Sequence, residues 1–179
     1  THNNRVDMAG EGLDYAIRFG DGAWHGTHAE RIMDAPMSVM CTPALAHGLR
    51  TAADLARQPL LRSYRTDEWA AWFEAAGAPC PVVRGAVFDS SLTLAEAAAQ
   101  GAGMALLPVK MFTRELQQGR LVQPFALELH RGAYWLTHLQ SRSETAAMQA
   151  FRQWLQAQAS IPLAADAVAE VSVQKTKSN

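Results

Sequence analysis

Three consecutive polar residues, Asp89, Ser90 and Ser91, stand where a predicted strand ends and a predicted helix begins. A helix start presents unpaired backbone N–H groups and the positive end of the helix dipole, so this loop has the chemistry to hold a carboxylate or a phosphate. Ligands of open α/β sheets bind beyond the carboxyl ends of the strands, where this loop is predicted to lie. The competing interpretation is that Ser90 or Ser91 serves only as a helix cap, which is the commoner use of serine there.

The residues on either side of this loop predict a strand–helix–strand unit. Residues 82–88 form its first strand, the alanine-rich 92–100 its helix, and the apolar 104–108 its second strand. That spacing suits a short βαβ crossover, and it places Phe88 at the edge of the loop. The other predicted elements are strands 14–20, 35–41, 60–64, 120–125 and 133–139 and helices 6–13, 44–49, 67–76, 111–118 and 141–159.

The alternation of strands and helices predicts an α/β architecture with mainly parallel sheets. The order of the elements also indicates that the chain leaves a first lobe, forms a second lobe and returns to the first. Two such lobes would enclose a cleft that binds a small molecule. Lobe I is expected to comprise 1–34 and 139–160, and lobe II to comprise 35–138. The tail 161–179 lacks a periodic pattern and is expected to be disordered.

Composition sets the class of protein. The 179 residues are 49% hydrophobic and 18% charged, which is typical of a globular protein, and no apolar run reaches the roughly 18 residues of a membrane helix. A net charge of −1 with scattered arginines argues against a nucleic-acid-binding surface. Because residue 1 is Thr and the strand 14–20 has no earlier partner, the chain is expected to be a fragment without the first strand and helix of lobe I.

Catalytic and metal sites are not predicted. An aspartate, two serines and six histidines could be assembled into a hydrolase triad, but neither Ser90 nor Ser91 lies in a Gly-x-Ser-x-Gly turn. The pair His25 and His28 falls in what is predicted to be a glycine-rich loop, and the other histidines show no ligand spacing, so no metal and no cofactor are expected. Both cysteines are interpreted as reduced thiols of a cytoplasmic protein.

Five strings of residues in this chain have an unusual sequence and a fixed order: Asn3–Asp7, Gly12–Gly20, Leu61–Trp69, Phe88–Ser91 and Ala133–Thr137. They resemble the effector-binding domain of LysR-type transcriptional regulators, and more narrowly those that control chromosomal β-lactamase expression. The resemblance covers about residues 1–157. The Arg-Ser-Tyr-Arg and Phe-Asp-Ser-Ser strings are far more specific than the widespread pattern at Leu13–Ile17.

This resemblance implies two Rossmann-like lobes joined by two crossover strands, as in periplasmic binding proteins. It implies a cytoplasmic sensor of muramyl peptides that dimerises with a second copy: a UDP-linked pentapeptide precursor holds the repressing state, and anhydro-muramyl peptides favour activation. DNA would be bound only through an N-terminal winged helix that precedes Thr1. The family pocket residues match Asp7, Ser91 and Tyr134, and the neighbouring Phe88, Asp89 and Ser90 are assigned to the same effector-binding surface.

The chemistry of the individual side chains leaves more than one use open. Ser91 can donate to a carboxylate or diphosphate, Tyr134 can bind ligand or pack between lobes, and Asp7 can accept ligand donors or cap a helix. Arg62 and Arg65 can pair with anionic groups or remain solvated. The alternative function is a periplasmic-type solute-binding protein for a small anionic ligand, which would share the two-lobed fold.

Overall fold

The computed structural model describes residues 7–65 and 67–159, so the predicted tail 161–179 and most of the string Asn3–Asp7 lie outside the described residues. The strands are β1 (Ala16–Gly20), β2 (Thr27–Asp34), β3 (Met37–Met40), β4 (Arg62–Ser63), β5 (Val87–Phe88), β6 (Ala105–Pro108) and β7 (Ala133–Leu139). The α-helices are α1 (Pro43–Ala46), α2 (Glu68–Ala75), α3 (Ser91–Ala99), α4 (Thr113–Gln117) and α5 (Ala146–Ala159), and 3₁₀ turns cover Ala52–Arg57 and Val109–Phe112. In this part of the chain no helix has the length and apolar content required to cross a bilayer.

Contacts divide the described chain into two compact units. Unit 1 comprises Ala35–Arg131, and unit 2 comprises residues 7–34 and 132–159. Residues 133–138 are predicted from the sequence to lie in the lobe that begins at residue 35. In the structure this stretch belongs to β7, which pairs with β1 and β2 and therefore lies in unit 2.

Unit 2 is built on an antiparallel sheet in the order β1-β7-β2. Mainly parallel sheets were predicted, and for this unit the prediction is wrong because β7 runs opposite to both of its neighbours. The sequence predicts a loop at His28 and no strand corresponding to β2. In the structure His28 lies in β2, directly opposite His138. The polar sequence of β2 lacks the regular alternation by which a half-buried strand is recognised.

Helix α5 of unit 2 begins differently from its prediction. Residues 141–144 have the Ser-x-x-Glu pattern of a capping box, but in the structure the hydroxyl of Thr145 accepts the hydrogen bond from the Met148 N–H at 3.2 Å. The helical period places Met148, Phe151, Trp154 and Leu155 on one face. Met148 is buried, whereas Phe151 and Trp154 are 41% and 56% exposed. The helix therefore buries a narrower apolar face than its periodicity suggested.

Unit 1 combines parallel and antiparallel pairing. β4 and β5 are parallel, β3 and β6 are antiparallel, and a parallel bridge between Leu60 and Met104 links the two pairs. The predicted strand 120–125 is reduced to one bridge between Cys41 and Val122, since Pro124 has no N–H group to continue a ladder. The core behind this sheet contains Met40, Leu94, Ala95, Ala98, Ala105, Leu107, Phe112 and Leu121.

The core fixes the position of α3. Leu94, Ala95 and Ala98 are buried on one face of this helix, as the spacing of i, i+1 and i+4 places them side by side. The helix ends at Gln100, and the following Gly103 lies so close to unit 1 backbone that a Cβ there would stand 2.4 Å from the carbonyl oxygen of Pro59. The start of α3 is therefore held at a fixed place beyond β5.

Candidate functional site

The carboxyl ends of β4 and β5 meet at one edge of unit 1. In the parallel register Ser63 pairs with Phe88, and beyond the pair the Tyr64 N–H donates to the Phe88 carbonyl oxygen at 3.0 Å. The loop that follows β4 therefore runs beside the loop that leads into α3. This edge is where ligands of open α/β sheets bind.

The two serines of the α3 loop have different roles in the structure. Ser90 is the cap: its hydroxyl accepts from the Leu92 N–H at 3.2 Å, and its carbonyl accepts from the Leu94 N–H at 3.0 Å. Ser91 is the first helical residue and is half-buried. Within the described residues the Ser91 hydroxyl has no hydrogen-bond partner, so it is available to a ligand.

Phe88 and Asp89 occupy different environments at the same edge. The Phe88 side chain is partly buried and packs against the unit 1 core, whereas Asp89 is exposed. Packing explains why an aromatic residue stands at Phe88, and the ligand contact assigned to both residues remains a prediction.

A buried ion pair supports the loop that follows β4. Glu68 is 7% exposed, and its carboxylate accepts hydrogen bonds from the Ser63 hydroxyl at 2.5 Å and from the Arg65 Nε. Arg65 Nη1 also donates to the Tyr64 Oη at 2.9 Å, and its guanidinium lies 4.7 Å from the centre of the Tyr64 ring. Four side chains are thus held together by hydrogen bonds and stacking.

Electrostatics keep Arg65 charged in this setting. Burial by itself lowers the pKa of Arg65, but the adjacent carboxylate of Glu68 outweighs burial and raises it. Burial raises the pKa of Glu68, and Arg65 and the Ser63 hydroxyl offset part of that rise. Arg65 is therefore committed to an internal pair, contrary to the solvated or ligand-bound roles considered from sequence. Arg62 donates to the Gly85 carbonyl oxygen at 3.1 Å.

Asp7 and Tyr134 belong to unit 2. The Asp7 Oδ1 accepts from the Gly10 N–H at 2.9 Å, which makes Asp7 the cap of a short helical turn, and its side chain is exposed. Tyr134 lies on β7 opposite Phe19, with the rings 5.7 Å apart and edge to face. The structure thus brings Phe88, Asp89, Ser90 and Ser91 together in unit 1, and their use with Asp7 and Tyr134 stays a prediction.

Unit 2 also contains a polar groove of about 610 Å³ that sequence reasoning missed. Glu144 is its centre: it accepts from Tyr15 and lies 3.2 Å from the Arg152 Nε and 3.9 Å from the His138 Nε2. Burial, with the hydrogen bond to Glu144, raises the pKa of Tyr15 to about 12. The described residues contain no group of three or more metal-ligating side chains, and the charges of this groove are paired with each other.

Comparison with known proteins gives the family. The model for the LysR substrate binding domain matches residues 1–160. The HTH-type transcriptional activator AmpR of Pseudomonas aeruginosa is 59% identical over 157 residues, a match that covers 87% of this chain and 53% of that protein. The chain therefore spans about half the length of the curated relatives it matches.

Solved structures agree with this match. The effector domain of AmpR from P. aeruginosa superposes with a TM-score of 0.83 at 58% identity, covering 89% of this chain and 77% of that one. An effector-binding domain from Citrobacter freundii with a threonine, a serine and a tyrosine substituted by valine, alanine and phenylalanine gives 0.84 at 52% identity, with 89% and 81% covered. The resemblance seen in the sequence is confirmed: the chain belongs to the LysR substrate-binding domain family.

Proposed function

We propose that this chain is the effector-sensing domain of a LysR-type regulator that controls β-lactamase transcription in the cytoplasm by binding muramyl peptides. The observation that carries the ligand proposal is the difference between the two serines at the start of α3. Ser90 caps the helix, whereas the Ser91 hydroxyl has no hydrogen-bond partner in the part of the chain that the structure describes. A serine needed only for capping would be satisfied by the helix itself. Relatives named as AmpR regulators support the assignment to gene control.

The α3 start suits the acidic groups of a muramyl peptide. A carboxylate or diphosphate placed there would accept from the Ser91 hydroxyl and gain from the positive end of the helix dipole. A hydrogen bond to a charged acceptor contributes about 1.5–3 kcal/mol, and the dipole adds about 0.3–1 kcal/mol. These contributions together would change affinity by at least tenfold.

Tyr134 and Asp7 are proposed as further effector-binding residues, through the Tyr134 hydroxyl and the Asp7 carboxylate. The substituted C. freundii domain lost a serine and a tyrosine hydroxyl, and those two positions stand the same distance apart along that chain as Ser91 and Tyr134 stand here. This match of residue type and separation supports the assignment of Ser91 and Tyr134. The Asp7 Oδ1 caps a turn, and the carboxylate keeps acceptor capacity for amide or hydroxyl donors of the ligand.

Signalling by such a domain requires a difference in affinity between two states. A ligand that binds one arrangement of a two-state regulator tenfold more tightly shifts the equilibrium by about 1.4 kcal/mol. The precursor and the anhydro-muramyl peptide would favour opposite states of a homodimer. DNA contact would be made by a winged-helix domain of the full-length regulator.

Calorimetric titration with UDP-linked muramyl pentapeptide tests the proposal. Ser91→Ala and Tyr134→Phe each remove one hydroxyl and should weaken binding about tenfold or more, and Ser91→Ala should do so without changing the melting temperature. Ser141→Ala, a substitution in the exposed loop before α5, and Tyr15→Phe, which removes a hydroxyl bound to Glu144, are the matched controls. Unchanged affinity in both test variants would refute the proposed residues. Absence of binding by the unsubstituted chain would refute the proposed ligand.

A further inference from the structure

Tyr64 has the placement of a ligand-binding residue at the edge described above. It is the first residue after β4, and its N–H donates to the carbonyl oxygen of Phe88, three residues before Ser91. Its backbone is therefore fixed beside the α3 loop at the carboxyl edge of two parallel strands. The side chain is half-buried.

The hydroxyl of Tyr64 is half-satisfied. A phenol can accept and donate, and here it accepts from Arg65 Nη1 at 2.9 Å. Among the described residues the Tyr64 O–H donates to no acceptor. A hydroxyl that accepts from a guanidinium is polarised to donate in turn, since hydrogen bonds in a chain strengthen one another. The Tyr64 hydroxyl can therefore donate its hydrogen to an electron-rich acceptor on a ligand.

The geometry of Tyr64 is supported by more contacts than packing alone requires. The Arg65 guanidinium stacks on the Tyr64 ring at 4.7 Å and donates from Nη1 to the Tyr64 oxygen, and Glu68 accepts from the Nε of the same guanidinium. Burying an ion pair costs more free energy than burying apolar side chains of similar size, so the pair is poorly explained by stability. The pair is better explained by the orientation that it imposes on the Tyr64 hydroxyl.

We propose that Tyr64 is a further ligand-binding residue of this domain, which donates its hydroxyl hydrogen to an anionic oxygen of the muramyl peptide bound at Ser91. Arg65 and Glu68 are positioning residues that act through Tyr64. The inference rests on the proposed function, because it adds a third hydroxyl to the same ligand. The anionic oxygen belongs either to a peptide carboxylate or to the diphosphate of the UDP-linked precursor.

Calorimetry of Tyr64→Phe in the full 179-residue chain tests this inference. The variant keeps the stacked ring and should lose about tenfold in affinity while retaining its melting temperature. A loss with both UDP-linked pentapeptide and anhydro-muramyl peptide assigns the acceptor to the peptide, and a loss with the UDP-linked ligand alone assigns it to the diphosphate. The chain has three tyrosines, and the other two provide the references. Tyr15→Phe should leave the ligand affinity unchanged, and Tyr134→Phe should lower it.

The positioning role has its own readout. Glu68→Gln should weaken ligand binding in the unsubstituted background and should have no further effect on binding in the Tyr64→Phe background, whereas a structural effect of Glu68 would weaken binding equally in both. Wild-type affinity in Tyr64→Phe, together with weakened binding in Ser91→Ala, would overturn this inference and leave the proposed function standing. Absence of binding by the unsubstituted chain would overturn both.

Discussion

Substitution of Ser90 by alanine should destabilise α3, whereas the same substitution at its neighbour Ser91 should not. The Ser90 hydroxyl satisfies the Leu92 N–H, which has no partner inside the helix, and alanine cannot replace that hydrogen bond. Ser91 makes no hydrogen bond through its side chain in the described structure. Two adjacent residues of the same type thus provide a matched pair.

The expected magnitude follows from the contacts of α3. Loss of a serine cap costs about 1 kcal/mol, within a range of 0.5–2. α3 carries Leu94 and Ala98 into the unit 1 core, so a weakened start is transmitted to unit 1. A loss of about 1 kcal/mol corresponds to a melting temperature about 2–4 °C lower for a protein of this size. At Ser91 alanine is the better helix former, and the expected change lies within about 0.5 kcal/mol.

Native-state hydrogen exchange is the most direct assay, because it reports on α3 separately from unit 2. The amide of Leu94, which is bonded to the carbonyl of residue 90, should exchange about fivefold faster in Ser90→Ala than in the unsubstituted chain. Thermal melting gives the accompanying change in overall stability. Amides of β7 should be unaffected in both variants, since β7 belongs to unit 2.

Equal destabilisation by the two substitutions would contradict the assignment of the cap to Ser90 alone. The Ser91 hydroxyl has no partner among residues 7–65 and 67–159, and the proposed function depends on this. Equal destabilisation would mean that this hydroxyl is engaged within the protein. Faster exchange confined to Ser91→Ala would reverse the assignments of the two serines.

Other properties can be predicted from buried and strained positions. Cys80 is exposed and should react with a thiol reagent in the native protein, whereas the fully buried Cys41 should react only after unfolding, as a timed thiol assay would show. Burial raises the pKa of Cys41 from 9.0 to about 11, so the folded protein holds this proton more tightly than the unfolded chain does. Stability should therefore fall as the pH rises from about 9 to about 11, by at most about 1.4 kcal/mol per pH unit, and Cys41→Ser should reduce that slope in urea titrations. Gly103→Ala should lower the free energy of unfolding by about 2–4 kcal/mol, because its φ is 157° and the new Cβ would meet the Pro59 carbonyl. Gly101→Ala, with φ 81° and open space around it, should lower this free energy by only about 1–2 kcal/mol. Equal urea midpoints for the two variants would contradict this reasoning.

Sequence patterns predicted the elements whose signals are local. The helix predicted at 67–76 is observed at Glu68–Ala75 and the strand predicted at 133–139 at Ala133–Leu139, because residue periodicity, caps and helix-ending glycines act within a few residues. The α3 loop was located for the same reason. β2 was missed since its sequence alternates too weakly, and the predicted strand 120–125 lacks a partner along most of its length.

The sequence by itself determined the family and the position of the polar loop before α3, since both depend on strings of neighbouring residues. Only the tertiary structure decided which serine caps the helix, that Arg65 is paired with Glu68, and that β7 joins unit 2. Strand pairing and the choice of a side-chain partner depend on which distant segments pack together, and no local pattern encodes that choice. For this reason the tertiary structure was needed to place Tyr64 beside the candidate site.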